Sequence, residues 1–394
     1  MEGVAFPEYR GHYLNLALNS SSVFGMAISN ARAYQSLETA KDSAEKATRL
    51  KDKFLSLVAH DLKGPLATMI GFLQLARDGA GAAMPETARK TLDLAIGSGT
   101  QMIGLLNDLL KVSRFKTGQP RLNKQFFDAK YLGAKMAADY SGLAEQKGIE
   151  MANDIPENSR IYADRMLLSE AVQNLVNNAI KFCSRGDHIT LVMAENDPTT
   201  LCVRDTGPGI RPDALEKLFK YEEKTSTPGT AGEVGTGFGL PLTKDIMEFH
   251  GGELGVKSEP GKGSVFSLKL PFVRPKILVV DDDNDFRLMM SAYLKIMDVE
   301  ILEAKNGREA LEVISSRRPH LVISDLKLPV LDGLELLRLL KADLNTRDIP
   351  VFVVSGEYGM EIRNTVFKLG ADEFVTKGKI DRIDFIPRVR RFVG

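Results

Sequence analysis

Residues 276–283 read Lys-Ile-Leu-Val-Val-Asp-Asp-Asp, four apolar residues running directly into three carboxylates. A short apolar run bounded in this way suits a strand buried on both faces. β-rich runs recur at 299–304, 320–325, 350–355 and 373–376, with helical patterns between them. Five strands alternating with helices predict a doubly wound parallel sheet. Three adjacent carboxylates repel one another unless a cation is near, and open α/β sheets bind ligands at the carboxyl ends of their strands. The third predicted strand ends in Asp325, the fourth in the hydroxyl of Ser355, and Lys377 follows the fifth. An acid pair, a central Asp, a hydroxyl and a Lys at one edge of one sheet are harder to explain as structure than any of them singly. Asp283 reads as a helix N-cap rather than a third acid ligand.

Around this segment the chain has 394 residues, with 52 Lys+Arg against 52 Asp+Glu, 43% apolar and 26% charged. At about 100–200 residues per domain, that length predicts roughly two to four domains. The composition excludes a wholly disordered or collagen-like chain. A formal net charge of zero supplies no global basic field for a phosphate backbone or anionic lipid. Two cysteines, Cys183 and Cys202, make neither a disulfide framework nor a cysteine-rich zinc site, and read as reduced structural thiols. No apolar run reaches the about 18 residues of a membrane span, and the first residues lack a signal-peptide core. The expectation is a cytoplasmic protein with no nucleic-acid partner and no membrane insertion.

Towards the N-terminus, apolar residues from Val23 through Ala27, Ala31, Tyr34 and Leu37 to Phe54 step by three or four, with mixed charge opposite. That is one helical stripe, continuing to His60. A Gly- and Ala-rich loop at 79–83 separates it from a second amphipathic run over 92–110. Two long helices and a short loop predict an antiparallel hairpin, whose uncovered apolar stripes predict pairing with a second copy as a homodimer. His60 stands late in the first helix, beside Asp61 and shortly before Pro65. Pro65 offers no N–H to the Asp61 carbonyl and loosens the helix at a local cost of about 3 kcal/mol. An acid beside the imidazole can accept one N–H and leave the other nitrogen as a neutral nucleophile.

Between these regions, helical stretches at 131–146 and 164–182 and β-like ones at 189–194, 201–205, 253–258 and 264–270 predict an α+β domain. Glu170, Asn174, Asn178 and Lys181 share one helix face and offer a surface for a Mg²⁺-triphosphate. In Asp205-Thr-Gly207-Pro-Gly209 and Gly235-Thr-Gly237-Phe-Gly239, alternate glycines let backbone N–H groups approach phosphate oxygens. The second run is not a dinucleotide fingerprint, because Leu240 stands where the third Gly belongs, and no Walker A sequence occurs. Residues 224–239, rich in Gly, Thr and Pro, predict a mobile loop.

Residues 54–66, Phe-Leu-Ser-Leu-Val-Ala-His-Asp-Leu-Lys-Gly-Pro-Leu, resemble the H box of sensor histidine kinases. The resemblance implies that His60 is phosphorylated, that Asp61 acts as base and that Lys63 assists. Where the family often has Thr or Asn before the Pro to position water for phosphatase action, this chain has Gly64.

The middle region resembles, in order, the N, G1 and G2 boxes of the histidine-kinase ATP-binding domain, a fold shared with gyrase-type ATPases. Leu218-Phe219 is similar to its F box and residues 261–264 to its last glycine motif. What this implies is Asn174 as Mg²⁺ ligand, Asn178 and Lys181 as nucleotide and phosphate contacts, and Phe182 flanking the base. It further implies Asp205 accepting from the adenine amino group beside Gly207 and Gly209, with Gly235, Gly237 and Gly239 closing a lid over ATP. Glu170 would activate water in a gyrase-type enzyme, so the pocket by itself leaves open an ATP hydrolase, and a non-catalytic phospho-switched scaffold also stays open.

The C-terminal arrangement resembles a response-regulator receiver domain, a family whose 2-1-3-4-5 strand order is a standard doubly wound pattern. By resemblance, Asp281, Asp282 and Asp325 hold Mg²⁺, Asp325 receives the phosphoryl group, Ser355 binds it, Lys377 neutralises it and Phe374 follows the switch. Gly378 stands where the family usually has Pro.

The expected architecture is multidomain. An α-helical hairpin forms a dimeric four-helix bundle, followed by an α+β ATP-binding sandwich and an α/β doubly wound receiver with five parallel strands. The expected boundaries are 1–49 for a truncated sensor remnant and coiled-coil signalling helix, 50–118 for dimerisation and phosphotransfer, 119–273 for ATP binding and 276–394 for the receiver. The expected function is ATP-dependent autophosphorylation of His60 and transfer to Asp325, using ATP and Mg²⁺. A separate histidine-phosphotransfer protein or response regulator is the expected partner. His12, His188, His250 and His320 read as structural.

Overall fold

The computed structural model describes residues 10–79, 84–117, 122–215, 217–219, 229–230, 233, 237–356 and 359–393, which fall into two compact units, Met1–Pro120 and Arg121–Gly394. The first unit is the predicted hairpin. Helix α1 (Arg10–Gly79) runs 70 residues and continues through Pro65, and α2 (Glu86–Thr117) returns along it. Three pairs fix the antiparallel register. Arg77 Nη1 reaches Asp93 at 3.2 Å, Ile70 packs on Gly99, and Lys63 Nζ donates to Asn107 at 3.4 Å. A Cβ on Gly99 would stand 2.8 Å from Ile70 Cγ1, so glycine sets the close approach there. Leu62, Met69, Phe72 and Leu75 on α1 and Leu94 and Met102 on α2 stay exposed, the uncovered apolar surface that the sequence anticipates.

The second unit begins with β1 (Lys124–Asp128), α3 (Ala129–Lys147), β2 (Glu150–Asn153), β3 (Arg160–Asp164) and α4 (Arg165–Phe182). It continues through β4 (His188–Ala194), β5 (Asp197–Asp205), the short α5 (Pro212–Leu215), α6 (Gly239–His250), β6 (Glu253–Glu259) and β7 (Gly263–Lys269). One mixed sheet, ordered β2-β4-β5-β7-β6, is packed by α4 and α6, with α3 joining at β2. Ile189, Leu191 and Met193 alternate inward along β4, the period of a strand buried on one face. β1 and β3 pair separately as an antiparallel ribbon. Asp164 caps α4 by accepting from the N–H groups of Met166 and Leu167.

The receiver follows as β8 (Lys276–Val280), α7 (Asn284–Leu294), β9 (Glu300–Ala304), α8 (Gly307–Arg317), β10 (Leu321–Ser324), α9 (Gly333–Ala342), β11 (Val351–Ser355), α10 (Met360–Lys368), β12 (Glu373–Thr376) and α11 (Arg382–Val393). All its strand pairs are parallel and the order β9-β8-β10-β11-β12 is the expected 2-1-3-4-5. Alternate residues of the same strands build two cores. Ile277, Val279, Ile323 and Phe352 meet α7 and α11, while Leu278, Val280, Val322 and Val353 meet α8, α9 and α10.

The receiver rests on the ribbon by the end of its sheet where the strands begin. The His320 ring lies edge-on between Phe126 and Tyr162, with ring centroids 5.1 and 5.0 Å away. Arg274 pairs with Asp298 at 3.0 Å, and α11 touches β1.

Candidate functional site

The polar stripe of α4 lies along the border of its buried face: Glu170, Asn174, Asn178 and Lys181 are all half-buried. The Asn174 amide nitrogen donates to Gly239 O and Thr243 Oγ1, each at 3.4 Å, which ties the stripe to the first turn of α6. The Lys181 ammonium stands 4.7 Å from the Phe182 ring centroid, and burial lowers its pKa against the opposing pull of Glu233.

Across the sheet end, Asp205 Oδ1 accepts from Gly207 N at 3.0 Å and Ser264 N at 3.2 Å. Burial raises its pKa, with these bonds opposing. Gly209 (φ +68°) and Gly263 (φ +91°) adopt left-handed conformations in which a Cβ would run into the carbonyls of Glu259 and Asp205. Both positions need glycine. Cys183, wholly buried beside Gly207, has its thiol pushed up to about 12 by burial and by Asp205, which makes it the inert thiol expected.

Of residues 224–239, the structure describes 229–230, 233 and 237–239; Gly235 lies outside the described residues. Thr230 is fastened to the end of α4. Its N–H donates to Lys181 O at 3.0 Å and its hydroxyl to Cys183 O at 2.8 Å. Lys147 donates to the Thr230 hydroxyl at 3.0 Å and pairs with Glu233 at 2.5 Å. Neither Thr230 nor Lys147 stands out in the sequence, because neither belongs to a spaced motif.

In the receiver, Asp281 and Asp282 follow β8, Asp325 follows β10, Ser355 ends β11 and Lys377 follows β12. One oxygen from each of Asp281, Asp282 and Asp325 lies within 4.8 Å of the others. Lys377 Nζ bridges Asp281 at 2.6 Å and Asp325 at 2.7 Å, and sits 4.4 Å from the Phe286 ring centroid. Asp281 and Ser355 are wholly buried, and Asp325 nearly so. Burial lowers the Lys377 pKa, yet its bonds to the two acids outweigh this and leave it raised. Burial raises Asp281, with Lys377 opposing. Three carboxylates facing one ammonium, with only hard oxygen donors at hand, fit a Mg²⁺-type cation. Asp325 Oδ1 is held by the N–H groups of Leu326 at 2.6 Å and Lys327 at 3.3 Å. Phe374 is half-buried against the core formed with α8 and α9. Asp283 caps α7 by accepting from Asp285 N at 2.9 Å. The sequence reading missed Arg287, a buried cation that donates to the carbonyls of both Asp281 and Asp282. Its place four residues after the N-cap was the signal the sequence held, while the turning of that helix face back to the acids is visible only in the fold.

The backbone of His60 is helical within α1, while its side chain and that of His12 lie outside the described residues. Asp61 and Lys63 are exposed. His250 is buried, with Nδ1 donating to Ile246 O at 2.7 Å and Nε2 accepting from Asp164 N at 2.9 Å, a neutral structural imidazole. His188 pairs with Glu150 at 3.1 Å on the surface.

A helical hairpin carrying a histidine, an α+β sandwich with glycine turns beside a half-buried acid and a doubly wound domain with an acid cluster are, in this order, the parts of the histidine-kinase class. Family models match these parts in order: His Kinase A (phospho-acceptor) domain at residues 50–118, Histidine kinase-, DNA gyrase B-, and HSP90-like ATPase at 163–274, and Response regulator receiver domain at 277–389. The chain belongs to the hybrid sensor histidine kinases.

It is 28% identical over 332 residues to Sensor protein EvgS of Escherichia coli (strain K12), covering 77% of this chain and 27% of that protein. It is 26% identical over 371 residues to Autoinducer 2 sensor kinase/phosphatase LuxQ of Vibrio parahaemolyticus, covering 86% and 42%. With Virulence sensor protein BvgS of Bordetella bronchiseptica the identity is 29% over 343 residues, covering 79% and 28%. The chain thus spans less than half the length of these relatives. Among the described residues no helix is long and apolar enough to cross a membrane.

Proposed function

We propose that this chain phosphorylates itself on His60 from ATP and passes the phosphoryl group to Asp325. The observation that carries the reading is the acid cluster of Asp281, Asp282 and Asp325 with Lys377 at 2.7 Å from Asp325, in one chain with the polar stripe of α4 and the glycine turns at Asp205. ATP binds with its base amino group towards Asp205, whose two backbone bonds both fall on Oδ1, and with its phosphates towards Asn178, Lys181 and the backbone of Gly237 and Gly239.

A neutral nitrogen of His60 attacks the γ-phosphorus, the bond to the ADP oxygen breaks and ADP leaves. Asp61 takes the proton that the imidazole gives up, and Lys63 meets the charge on the transferring oxygens. An Asp325 carboxylate oxygen then attacks the same phosphorus, the P–N bond breaks and the imidazole recovers its proton. A divalent cation held by Asp281, Asp282 and Asp325, and one at Asn174, would supply charge neutralisation at the moving oxygens. Lys377 neutralises the same oxygens, a role supported by its 2.7 Å bond to Asp325, and Ser355 donates to them. Two copies pair through the exposed apolar faces of α1 and α2, and a separate phosphotransfer protein or response regulator takes the group onward.

Labelling with γ-labelled ATP tests the scheme. His60→Gln should incorporate nothing. Asp325→Asn should accumulate an acid-labile, base-stable label, and the wild-type chain should add a base-labile acyl phosphate. Label retained by His60→Gln overturns the scheme, and phosphate release persisting without His60 would point to hydrolysis through Glu170 instead.

A further inference from the structure

Arg287 is 5% exposed, and the classes of residue needed for phosphotransfer leave it without a role. All three of its nitrogens are engaged. Nη1 donates to the backbone carbonyls of Asp281 at 2.7 Å and Asp282 at 3.3 Å, Nη2 to Asn284 Oδ1 at 2.9 Å, and Nε to Glu303 at 3.3 Å. Glu303 in turn accepts from the Ser291 hydroxyl at 3.2 Å. The guanidinium therefore joins the first strand end, the start of α7 and β9.

We propose that Arg287 is the positioning residue of the receiver's cation site: by gripping the Asp281 and Asp282 carbonyls from behind, it aims both carboxylates at the site shared with Asp325. The inference rests on the phosphotransfer reading above and adds to it a residue that touches neither phosphate nor cation. The physical need is clear from the loop itself. Two successive acids at the end of a strand repel each other and Asp325, and repulsion would splay the loop outward. Besides Lys377 at 2.6 Å, the Asp281 carboxylate has one restraint from its own loop, Oδ1 accepting from Asp283 N at 3.0 Å, while the Asp282 carboxylate has none among the described residues. Fixing the carbonyls fixes where both side chains start. Lysine cannot replace this grip, because a single ammonium lacks the planar fork that reaches β9 and the loop together.

The test uses the full chain and two readouts. Calorimetric titration with Mg²⁺, without nucleotide, measures affinity directly, with Asp325→Asn as the blank. Labelling of Asp325 by a small-molecule phosphoramidate, at graded Mg²⁺, bypasses ATP and His60. Arg287→Lys and Arg287→Met should weaken Mg²⁺ binding by about 10- to 100-fold, the usual cost of losing a group that orients metal ligands. Labelling should shift to higher Mg²⁺ by the same factor and recover when Mg²⁺ saturates, which a merely structural role would not produce. If Arg287 variants lose the receiver fold, Glu303→Ala replaces them, and an unshifted Mg²⁺ affinity there overturns the proposal. Folded Arg287 variants with wild-type Mg²⁺ affinity overturn it as well. A wild-type chain that takes no label on Asp325 at saturating Mg²⁺ defeats the phosphotransfer reading instead, so the two failures are distinct.

Discussion

Asp281 shows how a single residue is set at odds with the stability of its own domain. Its carboxyl is wholly buried, and burial holds it above the usual carboxylate range although Lys377 opposes. An acid whose folded pKa is raised keeps its proton longer in the folded state, so stability is lost as pH rises from the unfolded value through the folded one. Above the folded value that cost is fully present, and a bound cation relieves it. Asp281→Asn should therefore stabilise the receiver by about 1 kcal/mol or more while abolishing its stabilisation by Mg²⁺, measured as thermal midpoints with and without the ion. A variant less stable than wild type in the absence of Mg²⁺ would contradict this. The five receiver residues were legible because each sits at a strand end that apolar runs announce, and position along a strand is written in the sequence. Arg287 was not, since its role depends on which way a helix faces and on Glu303, sixteen residues away on β9.

At the scale of elements, the anchoring of the segment after α5 is the feature that the sequence does not carry. Thr230 holds it to the last turn of α4 through its N–H and its hydroxyl, and Lys147 closes the arrangement from α3. Thr230→Ala removes the hydroxyl bonds but keeps the backbone one. Losing about 1 kcal/mol of net hydrogen bonding should lower the domain's melting point slightly and weaken ATP binding by roughly three- to tenfold, as read by thermal melts and calorimetric titration. Unchanged affinity would mean that the anchor does not shape the pocket. The long helices and central strands were legible from periodicity, whereas β1, β2 and β3 were not. β1 is Lys-Gln-Phe-Phe-Asp with only Phe126 buried, too short and too irregular to show a period of two. Its strand character comes from pairing with β3, a partner that lies beyond the whole of α3.

For the second unit as a whole, the seating of the receiver on the β1–β3 ribbon can be followed through one imidazole. His320 Nδ1 accepts from Lys276 N at 2.9 Å, and its pKa is lowered to about 4 from an ordinary 6.5, first by burial and then by Lys276, with Glu300 opposing. A His with a lowered folded pKa contributes in full above pH 6.5, and the seating weakens as pH falls from there towards about 4. The His320 proton resonances in the intact chain should titrate near that low value, and Tyr162→Ala, which opens one side of the ring, should move the titration back up. An ordinary titration in the wild-type chain would mean that the ring is not enclosed.

His320 and Asp325 flank opposite ends of β10, which spans Leu321–Ser324. At about 3.3 Å per residue, a strand of that length keeps the two ends roughly 13–16 Å apart. Groups so separated and without a shared partner give free-energy changes that add. Loosening the foot of the receiver and altering its acceptor should therefore act as independent perturbations. Any departure from additivity in a Tyr162→Ala and Asp325→Asn double variant would measure how far the sheet itself conducts strain from one end to the other.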